Sequence, residues 1–271
     1  METIDRKRVQ VSFQRGACDY DQHTPVQQRV LQKLLCHAEQ YLAGSSTRVL
    51  DIGCGTGRLL ELLGQRHPDT VLTGLDLAPN MLRQAAERLP EAVSLVQGDA
   101  EQLPFTADTF SLVLSSSTFQ WLDQLVPCFE EVFRVLKPEG NFVFSLFGEK
   151  TLYELRESWQ QALVNSGRQG EGAQDGTHRF HSCDQVLYAL QKSGFKGGTV
   201  WSELELVRYP DVPHLLQAIK RIGAGTARPP SGGGLGWRRI LHEMAAVYTE
   251  RFGGEGGVPG SYEVIYATGS R

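Results

Sequence analysis

Between residues 48 and 148 short apolar runs alternate with amphipathic stretches, and several of the runs end at an acidic residue. In R-V-L-D-I (48–52), Val49, Leu50 and Ile52 suit a strand buried on both faces, and Asp51 stands beside its end. Further strands are predicted over 70–76, ending at Asp76, over 93–100, holding Asp99, from Phe110 to Leu114, and over N-F-V-F-S-L-F-G (141–148). An amphipathic helix reaching Leu136 precedes the last of these, with K-P-E-G (137–140) as a turn. Upstream, residues 24–44 have the grammar of a helix: Thr24 as cap, Pro25 in the first turn, an apolar stripe of Val26, Val30, Leu34, Ala38, Tyr41 and Leu42, and Gly44 as stop. The short aromatic run before it, S-F-Q-R-G-A-C-D-Y-D, suits a segment that closes over a ligand, or one in which Phe13 and Tyr20 staple the helix start.

Past residue 150 the pattern predicts a helix over 151–164, a loop over 165–177, and a helix that opens with a Ser182–Gln185 capping box and ends near Gly194. Strands follow at T-V-W-S-E-L-E-L-V-R-Y (199–209) and S-Y-E-V-I-Y-A-T-G (261–269). About 50 residues separate them, far more than a hairpin loop needs. That stretch holds helical segments at about 211–222 and 237–252, on either side of a Gly-rich run, and reads as a helical cap hinged on its glycines.

The first strand runs into glycines at every second position, Gly53, Gly55 and Gly57. Glycines so placed turn the chain sharply at positive φ and let bare backbone approach a ligand. A dinucleotide fingerprint needs its third glycine at position 58, which is Arg58, so the run predicts a nucleotide cofactor without a pyrophosphate. Asp76, at the tip of the neighbouring strand, is placed to accept both ribose hydroxyls. Leu77 and Met81 follow it and either flank the base or pack in the core, with Pro79 in the first turn of the next helix.

With D-I-G-C-G-T-G and these strand ends, the chain resembles the class I S-adenosylmethionine-dependent methyltransferases. The resemblance implies a Rossmann-like α/β fold: a seven-stranded, mostly parallel sheet of order 3-2-1-4-5-7-6, helices on both faces, and the cap between strands 6 and 7. It also implies roles for residues. Asp51 would hold the methionine amino group, the glycines would pass under methionine and ribose, Asp99 would accept the adenine amino group, and the Ala100 N–H would meet a ring nitrogen. Tyr20 and Ser115 complete the expected contacts to S-adenosyl-L-methionine, whose product is S-adenosyl-L-homocysteine.

Composition narrows the setting. A chain of 271 residues that is 41% hydrophobic and 21% charged reads as one elaborated domain, with an N-terminal lid over 10–43 and the cap over 210–260. No apolar stretch approaches the roughly 20 residues of a membrane span. The N-terminus lacks the apolar core of a signal peptide, so a cytoplasmic monomer is expected. Five cysteines without a C-x-x-C pair support neither disulfides nor a metal site, and Cys54 reads as a small buried filler. A net charge of -4 argues against nucleic acid as partner. Lys220, Arg221, Arg228, Arg238 and Arg239 gather where acids are sparse, as a solvated face or a docking surface for an acidic partner.

Within the superfamily, S-F-Q-R-G-A-C-D-Y-D, S-S-T-F-Q-W-L-D, F-G-E-K-T-L-Y-E-L-R, G-A-G-T-A-R-P and S-Y-E-V-I-Y-A-T-G resemble the malonyl-acyl-carrier-protein O-methyltransferases of biotin synthesis. That resemblance implies methyl transfer to the free carboxylate of a malonyl thioester on acyl carrier protein or CoA. Such a carboxylate is ionised at neutral pH, so no general base is required. Candidates to orient it are Tyr20, Gln120, Trp121, Lys150 and Arg228, while Arg156, Lys220, Arg221, Arg238 and Arg239 would meet the acidic carrier. Two alternatives stand: another small-molecule carboxyl or carbon methyltransferase, or a cofactor-binding protein without turnover. S-S-S-T (115–118) stands in place of an N-P-P-Y-type tetrad, which argues against amino-group substrates in DNA or protein.

Overall fold

A computed structural model describes residues 6–42, 47–167, 180–221 and 235–271. In chain order the elements are α1 (Arg6–Gly16), α2 (Pro25–Ala38), β1 (Arg48–Ile52), α3 (Arg58–Arg66), β2 (Val71–Asp76), α4 (Pro79–Arg88), β3 (Ser94–Gln97), β4 (Phe110–Ser116) and α5 (Leu125–Val135). They continue with β5 (Leu136–Phe147), α6 (Tyr153–Asn165), α7 (Cys183–Lys192), β6 (Lys196–Tyr209), α8 (Val212–Arg221), α9 (Leu235–Phe252) and β7 (Val258–Ser270). Seven strands form one sheet in the order β3-β2-β1-β4-β5-β7-β6, the order that the resemblance implies. β3, β2, β1, β4 and β5 pair in parallel, and β7 runs antiparallel to β5.

Period-two alternation explains why this sheet is buried on both sides. Leu50, Ile52, Val113, Phe142 and Phe144 belong to one apolar core together with Phe119 and Phe129 of the segment after β4. Val49, Leu112, Leu114 and Val143 point the other way, into a second core with Leu34, Leu35, Leu60 and Leu63 of α2 and α3. Phe142 and Phe144 stack with ring centroids 4.3 Å apart. Each such side chain contributes roughly 1.5–3 kcal/mol by leaving water.

The chain divides into two compact units. The first comprises Met1–Gly148, His181–Glu203 and Val264–Arg271 and contains both cores. The second comprises Glu149–Phe180 and Leu204–Glu263, in which α6 packs along α9. Within that unit Arg251 pairs with Glu157 at 2.7 Å, Tyr248 donates its hydroxyl hydrogen to the Pro259 carbonyl at 2.6 Å, and the buried Glu154 accepts from the Ser261 hydroxyl. Among the described residues no helix is long and apolar enough to cross a membrane.

Several local expectations change. Thr24 does not cap α2 with its side chain: its hydroxyl donates to the Tyr20 carbonyl at 3.1 Å, and Pro25 at the first position starts the helix. The helix ends at Ala38 and continues as a 3-10 turn over Glu39–Tyr41, while Gly44 lies outside the described residues. The aromatic run ahead of it is helical, with α1 followed by a 3-10 turn over Ala17–His23. K-P-E-G is an excursion inside one strand, because Leu136 pairs with Phe110 and the ladder resumes at Asn141 opposite Leu112. A Cβ on Gly140 would lie 2.8 Å from the Lys137 carbonyl oxygen, so only glycine closes that excursion without displacement. The Ser182–Gln185 capping box forms as expected, with both reciprocal hydrogen bonds present.

Candidate functional site

One cavity of the first unit lies at the ends of β1, β2 and β4, beneath α1 and the 3-10 turn that follows it. The Gly-rich turn forms its floor, and the three glycines answer three different demands. Gly53 sits at φ 71°, where a Cβ would come 2.2 Å from Thr118 Oγ1. Gly57, at φ 81°, is the left-handed cap of α3, and its Cβ would press on Leu89. Gly55, at φ 53°, faces open space on the cavity wall. The Gly53 and Cys54 N–H groups both donate to the Leu75 carbonyl, at 2.7 and 3.0 Å, which pins this turn to β2.

Two carboxylates meet in the cavity. Asp76 accepts the Gly55 N–H on one oxygen at 2.9 Å and the Ala78 N–H on the other at 2.8 Å, which fixes the plane of its carboxylate. Burial raises its pKa, and the backbone N–H donors oppose that shift. Asp51 is only 2% exposed, and its carboxyl is pushed up to about 8, first by burial and then by the charge of Asp76. Among the described residues no Lys or Arg pairs with either carboxylate. Two buried acids without a cation suit a ligand that brings a positive charge and hydroxyl donors. An ammonium with a ribose, as in S-adenosylmethionine, meets both requirements.

Other wall residues are Tyr20, Leu77, Met81, Asp99, Ala100 and Trp121. Burial, then Asp76 and Asp21, push the Tyr20 hydroxyl far above its ordinary range, so it is a neutral donor. Met81 is both buried and on the wall, in a small cluster with Ala17, Ala78, Phe13 and Tyr20. Phe13 meets Tyr20 and Trp121 edge to face, at 6.0 and 5.7 Å. Asp99 accepts the Glu101 N–H at 2.9 Å. The Cys54 thiol is raised well above its usual value, by burial foremost, which fits a filler and not a nucleophile.

Several expected contacts stand elsewhere. Ser115 is fully buried behind the wall, donating its hydroxyl hydrogen to the Ile52 carbonyl at 2.8 Å, and Ser116 and Ser117 line the cavity in its place. Gln120 is buried and donates to the Ser117 carbonyl at 2.6 Å, and it is not on the wall. Gly57 shapes the turn without lining the cavity. Lys150 belongs to the second unit, its amine 3.9 Å from the Glu263 carboxylate and its N–H 2.9 Å from the same group. Arg156 also lies there and donates to the Thr151 carbonyl at 2.6 Å and to that of Glu149. Lys220, Arg221, Arg238 and Arg239 are exposed on α8 and α9, and Arg228 lies outside the described residues.

Sequence reasoning missed Ser117 and a polar network at the cavity rim. Ser117 adopts φ 55°, its N–H donates to the Ser145 carbonyl at 2.9 Å, and its buried hydroxyl has no partner among the described residues. At the rim, Asp21 of the 3-10 turn meets Thr56 of the Gly-rich turn and Arg88 of α4. Positive φ at a serine leaves no mark in the residue pattern. Nor does a contact between residues 67 positions apart.

Residues 50–144 match the family described as Methyltransferase domain. The malonyl-acyl-carrier-protein O-methyltransferase of Geobacter sulfurreducens is 44% identical over 271 residues, covering 99% of this chain and 100% of the relative. The biotin biosynthesis bifunctional protein BioHC of Saccharophagus degradans is 34% identical over 96% of this chain, which spans 46% of that longer protein. Among solved structures, the YcgJ protein of Bacillus subtilis superposes with a TM-score of 0.62 at 18% identity, over 90% of this chain and 98% of that one, a likeness of fold. Identity at this level, over nearly the whole of both chains, places the chain in the malonyl-acyl-carrier-protein O-methyltransferase family.

Proposed function

We propose that this protein transfers the methyl group of S-adenosyl-L-methionine to the free carboxylate of a malonyl group carried as a thioester on acyl carrier protein, giving the methyl ester that primes pimeloyl and biotin synthesis. The observation that carries this reading is the pair of carboxylates, Asp51 and Asp76, that line one cavity with an open glycine and have no Lys or Arg partner among the described residues, in a chain related over its length to a malonyl-acyl-carrier-protein O-methyltransferase. The bound cofactor supplies an electrophilic methyl on a sulfonium.

The protein's own residues do the rest by position. Asp51 takes the amino group, Asp76 the ribose hydroxyls, Asp99 and the Ala100 N–H the adenine, and Leu77 and Met81 its faces. The acceptor carboxylate is ionised at neutral pH, so no residue need remove a proton. What it needs is alignment in a site closed to water, the proximity effect, worth up to about 7–11 kcal/mol. Tyr20 is a neutral donor on the wall, able to orient the carboxylate without neutralising its nucleophilic oxygen, while Trp121 and Ser117 line the wall with their indole N–H and hydroxyl buried. Lys150 is a weaker candidate, because Glu263 competes for its charge. Residues 10–43 act as a lid, 210–260 as a cap, and Lys220, Arg221, Arg238 and Arg239 dock the acidic carrier. Arg156, with its guanidinium committed to carbonyls, braces the loop before α6.

A transfer assay with methyl-labelled cofactor against malonyl-carrier protein, malonyl-CoA and free malonate tests the reading. Label should pass to the carrier-bound acceptor fastest and to free malonate slowest. Cofactor binding without transfer to any of the three would leave a binding protein and remove the enzyme.

A further inference from the structure

The rim of the cavity carries a closed polar triangle that joins three separate segments. Asp21 Oδ1 accepts from the Thr56 hydroxyl at 2.8 Å, and Asp21 Oδ2 accepts from Arg88 Nη2 at 2.5 Å. Arg88 Nη1 donates to both the Thr56 carbonyl and its hydroxyl oxygen, each at 2.8 Å. One planar guanidinium therefore spans the 3-10 turn after α1, the Gly-rich turn and the end of α4, a task for which its fork of donors is suited and a single ammonium is not. The Arg88 side chain is 26% exposed and that of Asp21 33%, with Glu61 3.5 Å from Arg88 Nε as a further counter-charge.

The remaining ties of this segment differ in kind. Its far end is seated by Gln10, which donates to the Leu77 carbonyl at 2.8 Å, and by the Asn80 amide, which donates to the Gln14 carbonyl at 3.0 Å. Its inner face is apolar and aromatic, with Val9, Phe13 and Tyr20 on the cavity wall. A ligand held on the Gly-rich turn would lie beneath this segment, whose residues form one wall of the cavity. The partly exposed Asp21–Arg88–Thr56 triangle ties this segment to α4 by an ion pair and to the Gly-rich turn through Thr56. Partly solvated charges add little to global stability and weaken with salt, the properties of a tie that must break at each turnover.

We propose that Arg88 and Asp21 form a latch on the N-terminal lid that sets the residence time of the cofactor product. The latch rests on the cofactor reading given above. Arg88 and Asp21 are positioning residues: they hold the lid shut and touch neither reacting group. Losing a partly exposed charge-assisted pair of this kind should speed release by roughly twofold to fivefold, with association and fold little changed.

The test compares wild type, Arg88→Gln, Asp21→Asn, the double variant and Arg88→Lys as full chains. Dissociation of S-adenosylhomocysteine is followed by stopped-flow displacement, and tryptic cleavage at the exposed Arg15 reports lid opening. Both single losses should speed dissociation and cleavage, and the double variant should exceed the larger of them by less than the sum of the two, because the two side chains share one bond. Arg88→Lys, which keeps the charge and loses the fork, should fall between. Added salt should speed release from wild type and not from the double variant. Unchanged dissociation in variants that keep their melting temperature overturns the latch and leaves the cofactor site standing. Wild type that fails to bind S-adenosylhomocysteine overturns the cofactor reading, and the latch with it.

Discussion

At the scale of single residues, the site turns on two acids that the fold holds against their preference. Asp51 is raised to about 8 by burial and then by Asp76, so the free folded protein keeps it protonated at neutral pH, whereas the unfolded chain releases that proton near its ordinary value. Stability contributed by this proton is present below about pH 4 and is lost as pH rises through 8. A cationic ligand selects the ionised form. Binding of S-adenosylhomocysteine at pH 7 should therefore release a proton, and affinity should fall towards tenfold for each pH unit below 8, about 1.4 kcal/mol per unit. Calorimetry in two buffers of different ionisation heat reads the proton directly, and binding with no release would remove the role given to Asp51. Asp51→Asn should stabilise the free protein at pH 8 while weakening the ligand. Both acids were legible in the sequence, because each stands at the end of an apolar run next to turn chemistry. The Ser117 backbone and the Asp21–Arg88 pair were not, since they depend on which strands and turns become neighbours.

At the scale of elements, the sheet is held by residues whose alternation is plain in the chain. Phe144 is fully buried between Phe119, Phe129 and Phe142. Phe144→Ala should lower unfolding free energy by about 3–5 kcal/mol, read from the denaturant midpoint. A loss under 1 kcal/mol would mean that the two-faced packing is misdescribed. The strands and the main helices followed from apolar period, capping and glycine punctuation. α1 did not, for R-K-R-V-Q-V-S-F-Q-R-G carries valines and a phenylalanine among polar residues with no continuous stripe. K-P-E-G has the chemistry of a turn, yet Leu136 pairs with Phe110 before it, so the ladder makes one strand of two runs. Arg238→Glu with Arg239→Glu should raise KM for the carrier-bound substrate roughly threefold to tenfold at low salt, with little change for malonyl-CoA, because exposed charges act on encounter. Equal losses for both substrates would return α9 to a solvated helix face.

At the scale of the whole molecule, a chain of net charge -4 that would meet an acidic carrier must do so through a local patch and not through its overall field. The strand order was legible once the strand-end motifs had suggested the family, since order follows from connectivity that single residues do not encode. The choice of acceptor was legible only from motifs outside the cofactor turn. The central claim is that the methyl group ends on the distal carboxylate of a malonyl group attached to its carrier. Intact-mass and fragment spectrometry of malonyl-carrier protein, before and after incubation with enzyme and S-adenosylmethionine, reads this in one measurement. The acyl group should become heavier by one methylene, located on the terminal carboxylate, with one S-adenosylhomocysteine formed per ester. An unchanged acyl mass, or a methyl group found on carbon or on the carrier's own side chains, would contradict the account.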